Sequence, residues 1–89
     1  MTKLIEQNLT NLGFSQQPLD DGEESTYYYT KEFGDVRYGI CLIGNCKSDV
    51  EKDGGWYIEI FEAEGLKRIF DLNELKALND IFEKLEQND

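Results

Sequence analysis

At 89 residues the chain has room for one domain (residues 1–89) built around one core. Nineteen Asp and Glu stand against nine Lys and Arg, a net charge of −10, and there is no histidine. That field opposes direct binding to DNA, RNA or anionic membranes, where phosphates call for cations, and it favours basic partners. The missing histidine removes the usual general base and the usual metal ligand together. A chain that is 39% hydrophobic and 12% aromatic is too apolar for a disordered acidic tail. No apolar run approaches the ~20 residues of a membrane span, and the first residues lack the apolar core of a signal peptide. The expected location is the cytoplasm, with Cys41 and Cys46 reduced.

In chain order, Leu4, Ile5, Leu9 and Leu12 have helical spacing, with Thr2 as the expected N-cap. Gly13 suits a left-handed helix end, with Phe14 folding back as its apolar contact. Residues 15–25 are polar and acidic, contain Pro18 and Gly22, and are expected to form a loop. Thr26–Phe33 is rich in β-formers, and Gly34-Asp35 is a two-residue hairpin signal leading into a second strand, Val36–Ile43. That hairpin pairs Phe33 with Val36, Lys31 with Tyr38, Tyr29 with Ile40 and Tyr27 with Leu42.

Gly44–Gly55 is a long polar connection. Trp56–Ala63 reads as a third strand, Glu64-Gly65 as a tight turn, and Leu66–Phe70 as a short fourth strand. Asp71-Leu72-Asn73-Glu74 has capping-box spacing, with Glu74 expected to bend back to the helix start. The helix behind it carries Leu75, Leu78, Ile81, Phe82 and Leu85 on one stripe.

The resulting fold class is α+β: a four-stranded antiparallel meander with the N-terminal and C-terminal helices packed on one face, in the order α-β-β-β-β-α. The inner face receives Tyr27, Tyr29, Val36, Tyr38, Ile40, Leu42, Trp56, Ile58, Ile60 and Ile69. The outer face carries Arg37, Cys41, Ile43, Glu59 and Arg68 with the aromatics Tyr28, Tyr57, Phe61 and Phe70, which become candidate partner-binding residues. A register slip of one residue, or a helix crossing to that side, would bury this set instead. The second candidate set is acidic: Asp20, Asp21, Glu23 and Glu24, with Asp49, Glu51 and Asp53.

Chemical motifs are absent or incomplete. No Ser/His or Cys/His pair can exist, and no phosphate-cradling glycine loop occurs. Catalysis by carboxylates alone needs a larger cleft than a chain of this length readily builds. Cys41 and Cys46 lack zinc-knuckle spacing, and five extended residues would part them by ~16 Å. Disulfide formation would need the chain to turn at Gly44-Asn45, so free thiols are the expectation. Catalytic residues, metal ligands and cofactors are therefore all expected to be absent.

Size, acidity and missing chemistry make the chain similar in kind to small proteins of phages and mobile elements. It is likewise similar in kind to inhibitors and immunity proteins that neutralise nucleases. The resemblance implies a non-enzymatic inhibitor occupying a basic site on a nucleic-acid-processing enzyme, of the anti-restriction, anti-CRISPR or toxin-immunity type. The competing expectation is a self-associating structural or assembly component that uses the aromatic sheet face, as a homodimer for instance.

Asp49-Val50-Glu51-Lys52-Asp53-Gly54 resembles the start of an EF-hand calcium loop, but the closing glutamate position falls on Ile60 and the flanks read as strands. Calorimetric titration with calcium is expected to show nothing tighter than roughly millimolar, the weak end of the natural range. Micromolar binding would contradict this.

Overall fold

The computed structural model describes residues 2–21, 24–34, 39–61 and 67–87. In chain order the elements are α1 (Glu6–Asn11), β1 (Ser15–Asp21), β2 (Glu24–Phe33), β3 (Ile40–Gly44), a 3-10 turn (Lys47–Asp49), β4 (Ile58–Ile60) and α2 (Leu72–Gln87). The strands form one antiparallel sheet in the order β1-β2-β3-β4, so the α+β meander with a helix at each end is the architecture found.

Its strands are not all the expected ones. Residues 15–25, read as a loop, supply β1 and the start of β2, with Ser15 opposite Thr30 and Asp20 opposite Ser25. A polar, proline-containing segment is a poor candidate for an inner strand. An edge strand, however, need only satisfy the backbone groups of its one neighbour. Leu66–Phe70 contributes correspondingly less: among its described residues only Ile69 bridges to Ile58. The expected fourth strand is thus replaced by one at the opposite edge.

The β2–β3 pairing also differs. Phe33 lies opposite Ile40 and Lys31 opposite Leu42, so the two-residue Gly34-Asp35 turn is replaced by a connection spanning 34–39. Residues 35–38, with the expected positions of Val36, Arg37 and Tyr38, lie outside the described residues. Side chains alternate with period two along a strand, and the pairing has shifted by four residues. An even shift keeps each described side chain of the pair on its expected face.

The core is built on one face. Tyr29, Phe33, Leu42 and Ile58 from the sheet join Leu9 of α1 and Leu75 of α2, together with Leu4, Phe14 and Trp56. Gly13 takes φ +90°, and Phe14 N–H donates to the Leu9 carbonyl while Gly13 N–H donates to that of Thr10. This is the expected Schellman ending of α1. The start of α1 differs: Ile5 is the N-cap residue, its N–H donating to Asn8 Oδ1 at 2.9 Å. Thr2 is committed elsewhere, its N–H donating to Asp71 Oδ1 at 2.7 Å. Residues 2–4 run extended beside 70–72, with Leu4 N–H on the Phe70 carbonyl and Leu72 N–H on that of Thr2. Buried Asp71 also caps α2 as expected, accepting Glu74 N–H at 3.1 Å on Oδ2. Glu74 does not complete the box; its carboxylate takes Lys67 at 2.6 Å. On α2, Leu75, Leu78 and Phe82 meet the core, whereas Ile81 and Leu85 remain 54% and 61% exposed.

Lys31 projects from β2 into the space between the helices. Its ammonium donates to the Leu12 carbonyl at 2.6 Å, Asn79 Oδ1 at 2.7 Å and Glu83 Oε1 at 2.9 Å. Three donors meet three acceptors, one at the end of α1 and two on α2. The Lys31 side chain is only 14% exposed and Asn79 is buried, so removing the ammonium strands the Asn79 acceptor, while half-exposed Glu83 can turn to water. Lys31→Met is expected to destabilise the fold by roughly 2–4 kcal/mol in chemical denaturation, with secondary structure retained under native conditions. Lys31 also holds the Glu83 carboxyl below its ordinary value. A depressed folded-state pKa contributes stability above the unfolded value, and that stability is lost as pH falls through the folded one. Acid unfolding of Glu83→Gln should therefore show less of this loss than wild type; identical profiles would contradict the coupling.

Candidate functional site

The face of the sheet away from the helices is laid out by the pairings. One row across it is Glu32–Cys41–Phe61, where Phe61 N–H donates to the Cys41 carbonyl at 2.8 Å. The next is Ser15–Thr30–Ile43–Glu59, continued by Arg68 in the bridged segment at 3.8 Å from the Glu59 carboxylate. The third holds Gln17, Tyr28, Tyr57 and Phe70, and beyond it Leu19 lies opposite Thr26.

The four aromatics expected here differ in their accessibility. Phe61 is 54% exposed, and Tyr28 and Phe70 are half-buried. Tyr57 is buried, at 8% exposure. Phe70 packs against its ring at 5.4 Å between centroids, and the Arg68 guanidinium lies over it at 4.6 Å. An arginine on an aromatic face combines cation–π attraction with close packing. Burial pushes the Tyr57 phenol up, Arg68 opposing and Glu59, Asp53 and Asp49 adding to the rise. Tyr57 is thus a structural member of this face, and the outward site it was expected to form rests on Phe61.

The two acidic segments come together at one end. Ser48 N–H donates to Thr26 Oγ1 at 3.1 Å, placing the 3-10 turn beside the turn end of the β1–β2 hairpin, one pair from Asp20 and Ser25. Asp20 and Glu51 are exposed, Asp49 and Asp53 partly buried. Asp21 and Glu24 close the hairpin ladder, and Glu23 lies outside the described residues. Asp53 is engaged within the chain: Asn45 Nδ2 donates to its Oδ2 at 3.1 Å and to the Gly55 carbonyl at 3.0 Å, while Asn45 Oδ1 accepts Tyr57 N–H at 3.2 Å. Buried Asn45 therefore fixes the shape of the connection, with Gly54 and Gly55 at φ +86° and +135° closing it. Lys52 sits 3.8 Å from Asp49. Among the described residues no group of three or more His, Cys, Asp or Glu is arranged to hold a metal ion.

Cys41 and Cys46 are not joined by a disulfide. Burial, helped by Glu32 across the strand pair, pushes the Cys41 thiol up, which disfavours the nucleophilic thiolate. On the helix side, Tyr27 and Tyr29 both donate to Glu6 Oε2, at 2.9 and 2.6 Å. Burial, and then that bond, raise Tyr29 to about 12; for Tyr27 the bond to Glu6 is the larger cause of a rise. Phenols held protonated in this way tie α1 to the sheet and are poor proton acceptors. Two open hollows are lined by described residues. One, of about 150 Å³, lies among Phe33, Gly34, Ile40, Phe82, Leu85 and Glu86; the other, of about 330 Å³, lies among Gly13, Ser15, Gln17, Thr30, Lys31 and Glu32. No described helix is long and apolar enough to cross a membrane.

No protein-family model matches the chain, and no curated protein or solved structure is significantly similar to it. Among the outer-face residues that sequence reasoning missed are Leu19, 38% exposed, and Glu32. Leu19 belongs to a strand with too few apolar residues to show an alternation, and Glu32 is one acid among many. Phe61→Ser is expected to leave stability within about 1 kcal/mol of wild type, whereas Tyr57→Ser should cost roughly 2–4 kcal/mol. Equal losses in urea denaturation would mean that the two rings share one environment.

Proposed function

We propose that the chain is a non-enzymatic protein-binding module that seats the helix-free face of its sheet on a basic partner surface. In its sharper form, the partner is a nucleic-acid-processing enzyme whose basic site is occupied and inhibited. The observation that carries this reading is Phe61, a large ring 54% exposed at the end of the Glu32–Cys41–Phe61 row. An exposed aromatic bordered by acids suits an interface in which an apolar anchor is ringed by complementary charge. The surrounding field of a chain with net charge −10 would steer a basic partner toward it. A setting inside the cell, with both thiols reduced, belongs to the same proposal.

A self-associating assembly component is the second reading. It draws on a different observation, the exposed Ile81 and Leu85 on α2. Like charge between copies works against it.

Wild type and Phe61→Ser are to be used as baits in nuclease-treated lysate at low and high salt. The expected result is a basic protein recovered by wild type at low salt and lost both at high salt and with Phe61→Ser. With that partner purified, reversing the charges of the exposed Asp20 and Glu51 should lower the association rate, and raising salt should do the same. Recovery of the chain itself alone, indifferent to salt, would support assembly and contradict the inhibitor reading.

A further inference from the structure

The sheet has two edges, and they are closed differently. Beyond β4, Ile58 and Ile69 exchange N–H···O bonds at 2.9 and 2.8 Å, so the first of that strand's three residues is already paired outward. Beyond β1 no strand follows among the described residues, leaving Ser15–Asp21 as an open edge seven residues long. Such an edge is a template for another chain.

Which backbone groups face that edge follows from the ladder. Phe61 N–H donates to the Cys41 carbonyl, so Cys41 and Ile43 bond toward β4 while Ile40 and Leu42 bond toward β2. Leu42 lies opposite Lys31, so Tyr29, Lys31 and Phe33 face β3, while Tyr28 and Thr30 face β1. Thr30 lies opposite Ser15 and Tyr28 opposite Gln17. Ser15, Gln17 and Leu19 therefore bond inward, and Gln16, Pro18 and Asp20 turn their backbone groups to the open side.

Proline has no N–H to lose on the inward side of such a strand, which is why the sheet tolerates it there. It also stands in the middle of the three outward residues. Any antiparallel pairing with a second copy that matches more than one of them brings Pro18 into the new ladder. In the two-fold pairing centred on it, both N–H···O bonds of the central pair are missing. We infer that Pro18 closes the β1 edge to a second copy of this chain, keeping the sheet from extending into a dimer whatever the Phe61 face binds.

Charge also keeps copies apart, so the test removes it. Wild type, Pro18→Thr and Pro18→Ala are compared by sedimentation equilibrium in 1 M NaCl, where the Debye length is ~3 Å, with circular dichroism verifying the fold. Hydrogen exchange reads the amides of residues 16 and 20. Wild type should show no association that protects Gln16 and Asp20. Pro18→Thr should associate at least about tenfold more strongly, a gain of ~1.4 kcal/mol, and protect both amides. Pro18→Ala restores the donor without β-branching and should move in the same direction. The inference is overturned if both variants fold yet do not associate through these amides. It is equally overturned if wild type pairs through Gln16 and Asp20 once charge is screened.

Discussion

Lys31 is the point at which sheet and helices become one body. A six-residue helix has no stability of its own, and α1 is that short. It is held by the Lys31 bond to the Leu12 carbonyl at its C-terminal end, by Glu6 with Tyr27 and Tyr29 at its start, and by Leu9 in the core. The same ammonium grips α2 through Asn79 and Glu83. A cation placed among apolar side chains is costly unless its partners are complete. Here the three acceptors come from the elements that have to be joined, so the condition for burying Lys31 is also the condition for correct assembly.

Asp71 plays the matching part at the other end of α2. One carboxylate oxygen caps the helix and the other accepts Thr2 N–H. A segment near the N-terminus and the start of the last helix are thereby fixed together, and the bridge between Lys3 and Asp71 adds backbone bonds to the join. With both helices committed to the inner face, the outer face has no helix to cover it. It is covered only in part, where Arg68 and Phe70 close over Tyr57. Phe61, two periods of the strand alternation further on, has no such roof among the described residues and is 54% exposed.

Much of this was legible in the sequence because it rests on local chemistry. The helix ending at Gly13-Phe14, the acidic cap at Asp71, the β-rich run around Tyr27-Tyr28-Tyr29 and the inner positions of Tyr29, Leu42 and Ile58 follow from residue type and period. The division of side chains between faces survived even a misplaced turn, since the four-residue displacement of the β2–β3 pairing is an even number.

Tertiary structure alone decided the rest, because those features depend on partners distant in the chain. Ser15–Asp21 is a strand because β2 offers it an unfilled edge, something its own polar residues do not announce. Ile81 and Leu85 continue an apolar stripe in sequence yet stay exposed, since the sheet meets α2 through Leu75, Leu78 and Phe82. Tyr57 and Phe61 are equivalent by alternation, and only the approach of residues 68–70 buries one and leaves the other. Periodicity assigns a side chain to a face; whether that face meets solvent is set by what the remainder of the chain lays across it.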